Sequence, residues 1–261
     1  MTTLDLIIPL FCLVDDQMTD ERKHAQAILY PSEVVTIGVL FARKGGYVRA
    51  FYRWLARDYA GLFGGLPDRT RLQRLLQTHQ AWLDRFLADP SFFTVLDSYP
   101  IALIFPIREG RSPAQVGRKG KNKGRWTVGV RFCWLLNNCG QVIAWTWAPL
   151  HTPDKDCAPL AAHFAGQTIT LSDTAFHSAA GDPENLKLCR KGTWNDRMVV
   201  ETSFSMRTVV CDRKRLRHRV ATYIQAHLAA VVAMFTLLLR LFHQLHPEAD
   251  PTQMSIAEFS L

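Results

Sequence analysis

Two periodicities divide the chain. Up to about residue 88 apolar positions recur at helical spacing, and from residue 91 the spacing falls to two. Leu4 to Val14 is apolar and is followed by capping acids at Asp15, Asp16 and Asp20. Pro31 breaks that pattern, and Ser32 opens the next apolar run, to Phe41, as an N-cap. Gly45-Gly46 is a turn. Tyr47 to Tyr59 then interleaves aromatics with Arg49, Arg53 and Arg57, which a helix stacks on one face. After a second turn at Gly64 to Pro67, Asp68 can cap a helix to about Leu87 that carries Arg69, Arg71, Arg74 and Arg85. Residues 1–90 therefore read as a helical bundle with a basic side, closed by Asp89-Pro90.

Beyond that junction the pattern predicts strands. Phe92 to Leu96 is the first and ends at Asp97. Trp126 to Leu136 is the second, Asn137 to Gly140 a hairpin turn, and Gln141 to Ala148 the third. Cys157 to Phe164 predicts a short helix, Thr168 to Leu171 a fourth strand that delivers Asp173, and Leu186 to Cys189 a short strand. Three consecutive strands, a helix and another strand predict a mixed sheet with a crossover. That order is the core of the ribonuclease H-like fold. Trp194 to Arg213 predicts a helix with Arg197 and Glu201 on one face. Ala221 to Leu245 predicts a long apolar helix able to cover the sheet. The expected architecture is α/β, with an all-α N-terminal domain over 1–90, a ribonuclease H-like mixed sheet flanked by helices over 91–245, and a tail over 246–261.

Composition adds a partner. Lys and Arg number 31 against 23 Asp and Glu, a formal charge of +8, which favours a polyanion. Placement sharpens this. Arg108, Arg111, Arg118, Lys119, Lys121, Lys123 and Arg125 are spaced by Gly110, Gly117, Gly120 and Gly124, which predicts a flexible cationic loop suited to backbone phosphates. Arg213, Lys214, Arg215, Arg217 and Arg219 form a second basic patch, and the arginine-bearing helices of residues 1–90 suit a DNA-binding domain of helix-turn-helix type. Six cysteines lack any Cys-x-x-Cys spacing, so scattered free thiols in a reducing cytoplasm are expected. The N-terminal apolar run has no basic region before it and is interrupted by Asp5, a poor signal peptide. Ala226 to Leu239 is short for a membrane span and is closed by Arg240. No membrane partner is expected.

The candidate chemistry lies in three acids, Asp97, Asp173 and Glu201. Carboxylates delivered by two strand ends and a helix can converge, and together they repel unless a divalent cation offsets the cost. Spacing alone leaves a second account open, in which all three are solvated or capping acids. Asp154 and Asp156 read as loop caps, and His177 as a satisfied structural histidine more than a DNA contact.

Three segments carry a resemblance. Leu96-Asp97-Ser98-Tyr99-Pro100-Ile101, Leu171-Ser172-Asp173-Thr174 and Val199-Val200-Glu201-Thr202-Ser203-Phe204 resemble the signature segments of bacterial DDE-type insertion-sequence transposases. The run from Val209 to Arg219 with the apolar helix after it, and Leu10 to Asp16, resemble the two ends of the same family. The resemblance implies that Asp97, Asp173 and Glu201 are metal ligands for two Mg²⁺ ions, with Mn²⁺ able to substitute. It matches Arg197 to a basic residue four before the glutamate and makes Arg207 the nearest counterpart of one that follows. Trp194 stands where the family often has tyrosine, and Thr174-Ala175-Phe176 where Lys-Gly-Tyr is common. The implied activity is metal-dependent cleavage at transposon ends and strand transfer into target DNA, on double-stranded DNA and by a homodimer in the synaptic complex. The DNA contacts would be Arg118, Lys119, Lys121, Lys123, Arg125, Arg197, Arg207, Arg213, Lys214 and Arg215. The rival readings are a ribonuclease H-like nuclease that cuts without joining, and a catalytically decayed DNA-binding derivative.

Overall fold

The computed structural model describes residues 2–122, 124–189, 216, 220–250, 254 and 259. The chain divides into two compact units, Met1–Phe86 with Thr222–Leu261, and Leu87–Ala221.

The first unit contains α1 (Thr3–Asp16), α2 (Pro31–Lys44), α3 (Val48–Asp58) and α4 (Arg69–Thr78), with 3-10 stretches at Ala60–Leu62 and Gln80–Phe86. Thr2 and Asp5 cap α1 reciprocally, each side chain accepting the other's N–H, at 2.8 and 3.2 Å. Pro31 starts α2 where it was expected to break a helix. In the first turn its missing N–H is one that no helical carbonyl would have used. The buried Glu33 carboxylate accepts from Tyr30 N–H at 2.6 Å and Gly64 N–H at 2.8 Å, tying the start of α2 to a distant turn. On α3, Phe51 and Leu55 are buried while Arg49, Arg53 and Arg57 are exposed. Arg85, expected on a basic surface, forks to Asp20 at 2.6 and 2.9 Å and reaches Glu21 at 2.7 Å.

The long helix Ala221–Leu245, expected to cover the sheet, falls almost wholly in the first unit, where His227 meets the Phe41 ring edge-on at 5.1 Å. By length and composition it is apolar enough to cross a membrane, but most of it is buried, as in a core helix.

The second unit holds β1 (Phe93–Ile104), β2 (Arg118–Asn122), β3 (Arg125–Asn137), β4 (Val142–Pro149), a 3-10 stretch Asp154–Cys157, α5 (Pro159–Ala162), β5 (Ile169–Ser172) and β6 (Leu186–Leu188). The strands form one sheet in the order β2-β3-β1-β5-β6, with β4 also on β3. Because β1 takes one edge of β3 from Val128 to Asn137, β2 and β4 lie end to end along the other. The β1–β3, β2–β3 and β3–β4 pairs are antiparallel, and the β1–β5 and β5–β6 pairs parallel. This mixed sheet with its flanking helical segments is compatible with a ribonuclease H-like fold.

Two expectations about this unit change. Asp97 does not end a strand: β1 runs on to Ile104. The described ladder to β5 stops at Val95, and Pro100 lies beyond it, opposite Arg131 of β3. The flexible loop expected over 108–125 is in its second half a strand, since β2 pairs with β3 from Arg118 to Asn122. Glycine there serves close packing. A Cβ on Gly129 would lie 1.9 Å from the Ile101 carbonyl oxygen, and one on Gly120 would lie 2.6 Å from that of Leu150.

The sheet packs apolar side chains on both faces. Leu96, Cys133, Leu135, Ile143, Cys157, Ala161 and Phe176 fill one face, and Val95, Leu171 and Cys189 the other. Within the first cluster Cys133 and Cys157 form a disulfide, against the expectation of free thiols. β4 and its return bring the two residues together, so no local spacing betrays the pair. Cys12 and Cys139 are exposed thiols and Cys189 a buried one.

Two outcomes are expected. Gly129→Ala lowers stability by about 3 kcal/mol in urea unfolding, because backbone must move, whereas Gly61→Ala, which has open space, changes little. Peptide mapping without reductant recovers the Cys133 and Cys157 peptides joined, and reduction lowers stability by about 3 kcal/mol from loop entropy. Separate peptides would refute the pairing.

Candidate functional site

The predicted acids are placed by the ladder between β1 and β5. Its register pairs are Phe93 with Ile169, Thr94 with Thr170, and Val95 with Leu171. Thr94 and Thr170 are fully buried, and their hydroxyls meet at 2.9 Å, satisfying each other away from water. Val95 and Leu171 share one face with Cys189. Strand alternation puts Asp97, two residues on, on the face of Val95. Asp173 lies two residues past Leu171 and is still extended, at φ −79° and ψ 172°. Asp97 therefore stands on β1 and Asp173 just past the end of β5, each two residues beyond the Val95–Leu171 pair and on the face that strand alternation gives it. Asp97 is half-buried and Asp173 exposed. Asp173 also accepts the Ala175 N–H at 2.9 Å, which caps the 3-10 turn Thr174–Phe176 and engages one of its several lone pairs.

Two carboxylates so placed are hard oxygen donors, the kind that Mg²⁺ takes. Among the described residues no group of three or more His, Cys, Asp or Glu could hold a metal ion. Glu201, the expected third ligand, lies outside the described residues. So do Arg197, Arg207, Arg213, Lys214 and Arg215, and Lys123 at the β2–β3 turn. Leu216, inside the second basic run, is buried and donates its N–H to the Ala102 carbonyl at 2.9 Å.

The cations expected after Asp97 lie on β2 and the start of β3. Arg118, Lys119, Lys121 and Arg125 are placed there by the β2–β3 register, and each of them is exposed. Lys119 and Lys121 share a face with Trp126, and the Lys119 ammonium sits 5.1 Å from the centre of that ring.

Ser98, next to Asp97, points to the opposite face. There Asp154 accepts from both Ser98 and Arg131, while Arg131 donates to the Thr152 carbonyl at 2.8 Å. This half-buried knot holds the turn after β4 against the sheet and gives Asp154 a structural role. Arg131 was not singled out by sequence, although one arginine inside an apolar strand is the signal for such a partner. His177 pairs through Nδ1 with Asp182 at 2.8 Å, as a structural histidine would. The Ser178 N–H and then His177 hold the Asp182 carboxyl below the usual range.

No protein-family profile and no curated protein matches the chain. A search of solved structures finds a cryo-EM structure of the piggyBac transposase synaptic complex with hairpin DNA, similar over 98% of this chain and 76% of that one. The identity is 11% and the TM-score 0.42.

The lowered Asp182 pKa sets a pH dependence. A depressed carboxylate contributes stability above its unfolded pKa, and that contribution is lost as pH falls through the folded value. Asp182→Asn is therefore expected to destabilise the chain at neutral pH and to match wild type in strong acid, below the folded pKa. Unfolding midpoints across that range check this, and a pH-independent difference would contradict it.

Proposed function

We propose that the second unit is the catalytic domain of a DDE-type transposase of the bacterial insertion-sequence kind, which cleaves DNA at transposon ends and transfers the strand into target DNA. The observation that carries the reading is the placement of Asp97 on β1 and of Asp173 just past the end of the neighbouring β5, each two residues beyond the Val95–Leu171 pair. It is joined by the resemblance of the segments around Asp97, Asp173 and Glu201 to that family's signature.

Asp97, Asp173 and Glu201 would hold two Mg²⁺ ions, with Mn²⁺ as a substitute. Divalent ions bound in such a site lower the pKa of water and neutralise charge on a scissile phosphate. The chain's own contribution is placement. Burial of Val95 and Leu171 fixes the backbone that carries the two aspartates, so that little reorganisation is needed when DNA arrives. Arg118, Lys119, Lys121 and Arg125 would bind the phosphate backbone, with Lys123, Arg197, Arg207, Arg213, Lys214 and Arg215 as further contacts. Joining requires two ends to be held together, which makes a homodimer the working assembly, and the reading places the protein with cytoplasmic DNA.

The test uses duplexes built from the DNA flanking the reading frame, and a target plasmid. Wild type with Mg²⁺ should nick the end and join it to the plasmid. Asp97→Asn and Asp173→Asn should each lose both steps, by a factor of about 10³ or more, while binding the duplex as before. Cleavage without joined product identifies a nuclease. Binding without cleavage by wild type identifies a decayed derivative.

A further inference from the structure

The basic residues after Asp97 are built into a projecting ribbon. β1 pairs with β3 only as far as Ile104, opposite Val128, after an irregularity between Ala102 and Ile104. Among the described residues the ladder beyond Val128 has two strands, with Gly120 opposite Thr127, Lys121 opposite Trp126, and Asn122 opposite Arg125. Gly120 is buried against Leu150, so the last two pairs are the ones that project, about 7 Å at strand rise. Gly124, at φ 82°, turns the tip. The root is fixed: Gly117 lies against Gly129 and Leu103, Gly129 against Ile101, and Gly120 against Leu150. This arm is therefore held firmly at its base and is exposed toward its tip.

Its two faces differ. Lys119, Lys121 and Trp126 lie on one, and Trp126 is 60% exposed with the Lys119 ammonium near its ring. Arg118 and Arg125 lie on the other, with Gly120 between them packed against Leu150. A two-stranded ribbon fits the major groove of B-DNA, which is about 12 Å wide and 8.5 Å deep. A ribbon that projects about 7 Å at strand rise, edged with cations and bearing one exposed indole, matches that groove in size and charge. The minor groove, about 6 Å wide, would have to be pried open and the duplex bent to take it.

We infer that the β2–β3 ribbon enters the major groove of duplex DNA, with Arg118, Lys119, Lys121 and Arg125 on the flanking phosphates and Trp126 against base edges. This rests on the reading of the chain as acting on duplex DNA, and it adds the groove, the element and a contact residue that the sequence had not marked.

The test measures binding of the full chain, without divalent metal, to a short mixed-sequence duplex. A second duplex carries glucosylated hydroxymethylcytosine, which fills the major groove, and a third measurement adds netropsin, which fills the minor groove. Wild type should bind the glucosylated duplex about tenfold or more weakly and be little affected by netropsin. Replacing Arg118, Lys119, Lys121 and Arg125 by Ala together should reduce the salt slope by up to about 3.6, at about 0.9 for each phosphate no longer neutralised. Trp126→Ala should leave the salt slope unchanged and shrink the preference for the unmodified duplex. Equal binding to both duplexes, or displacement by netropsin, would overturn the inference. Asp97→Asn separates the two ideas: it should keep the groove preference while losing cleavage. Groove preference in a wild-type chain that never cleaves DNA sinks the transposase reading and leaves the ribbon standing.

Discussion

A short parallel ladder fixes the candidate chemistry of this protein. Three register pairs join β1 to β5, and the central pair is two buried threonines whose hydroxyls satisfy each other at 2.9 Å. Register in a sheet is unforgiving, because a slip of one residue moves every side chain to the other face. Such a slip would turn Asp97 away from Asp173 and expose Leu96, which is buried among Cys133, Leu135 and Phe176. The hydroxyl pair raises the cost of a slip further, since it would leave two polar groups buried without each other. The same backbone constraint thus serves the core and the two acids.

The opposite face of β1 carries a different kind of order. Ser98, Asp154 and Arg131 form a charge-assisted knot beneath the sheet, one residue along from Asp97. Alternation along β1 therefore separates a structural carboxylate from a candidate catalytic one. The distinction matters because both are aspartates near strand ends in sequence, and the face each occupies tells them apart. Asp154 has its charge answered by an arginine within the protein. Asp97 and Asp173 each lie two residues beyond the last register pair of the β1–β5 ladder, where a shared cation would answer both.

Much of this was legible in the sequence. The runs from Trp126 to Ala148, with Asn137 to Gly140 between them, alternate strongly and carry a turn glycine, Gly140, which stands at φ 79°. The fourth strand and its Asp173 were equally clear. The length of β1 was not, because a proline such as Pro100 gives up a ladder hydrogen bond and only the pairing with β3 carries the strand past it. The ribbon was missed because glycine and cation density signals a loop when hydrophobicity is the measure. Its strand character comes from pairing with β3 and from close approaches that only glycine permits. The Cys133–Cys157 pair and the Arg131 knot depend on how β4 returns to the sheet, which no local pattern encodes. The surroundings of Glu201 are known from sequence alone.

The central claim is that Asp97 and Asp173 share a divalent cation. Fe²⁺ substituted for Mg²⁺, with ascorbate and peroxide, cuts the polypeptide backbone next to the bound ion. The account predicts paired cuts near Asp97 and near Asp173, both suppressed by excess Mg²⁺ and both lost in Asp97→Asn. Cuts at only one of the two positions, or cuts that persist in Asp97→Asn, would contradict it.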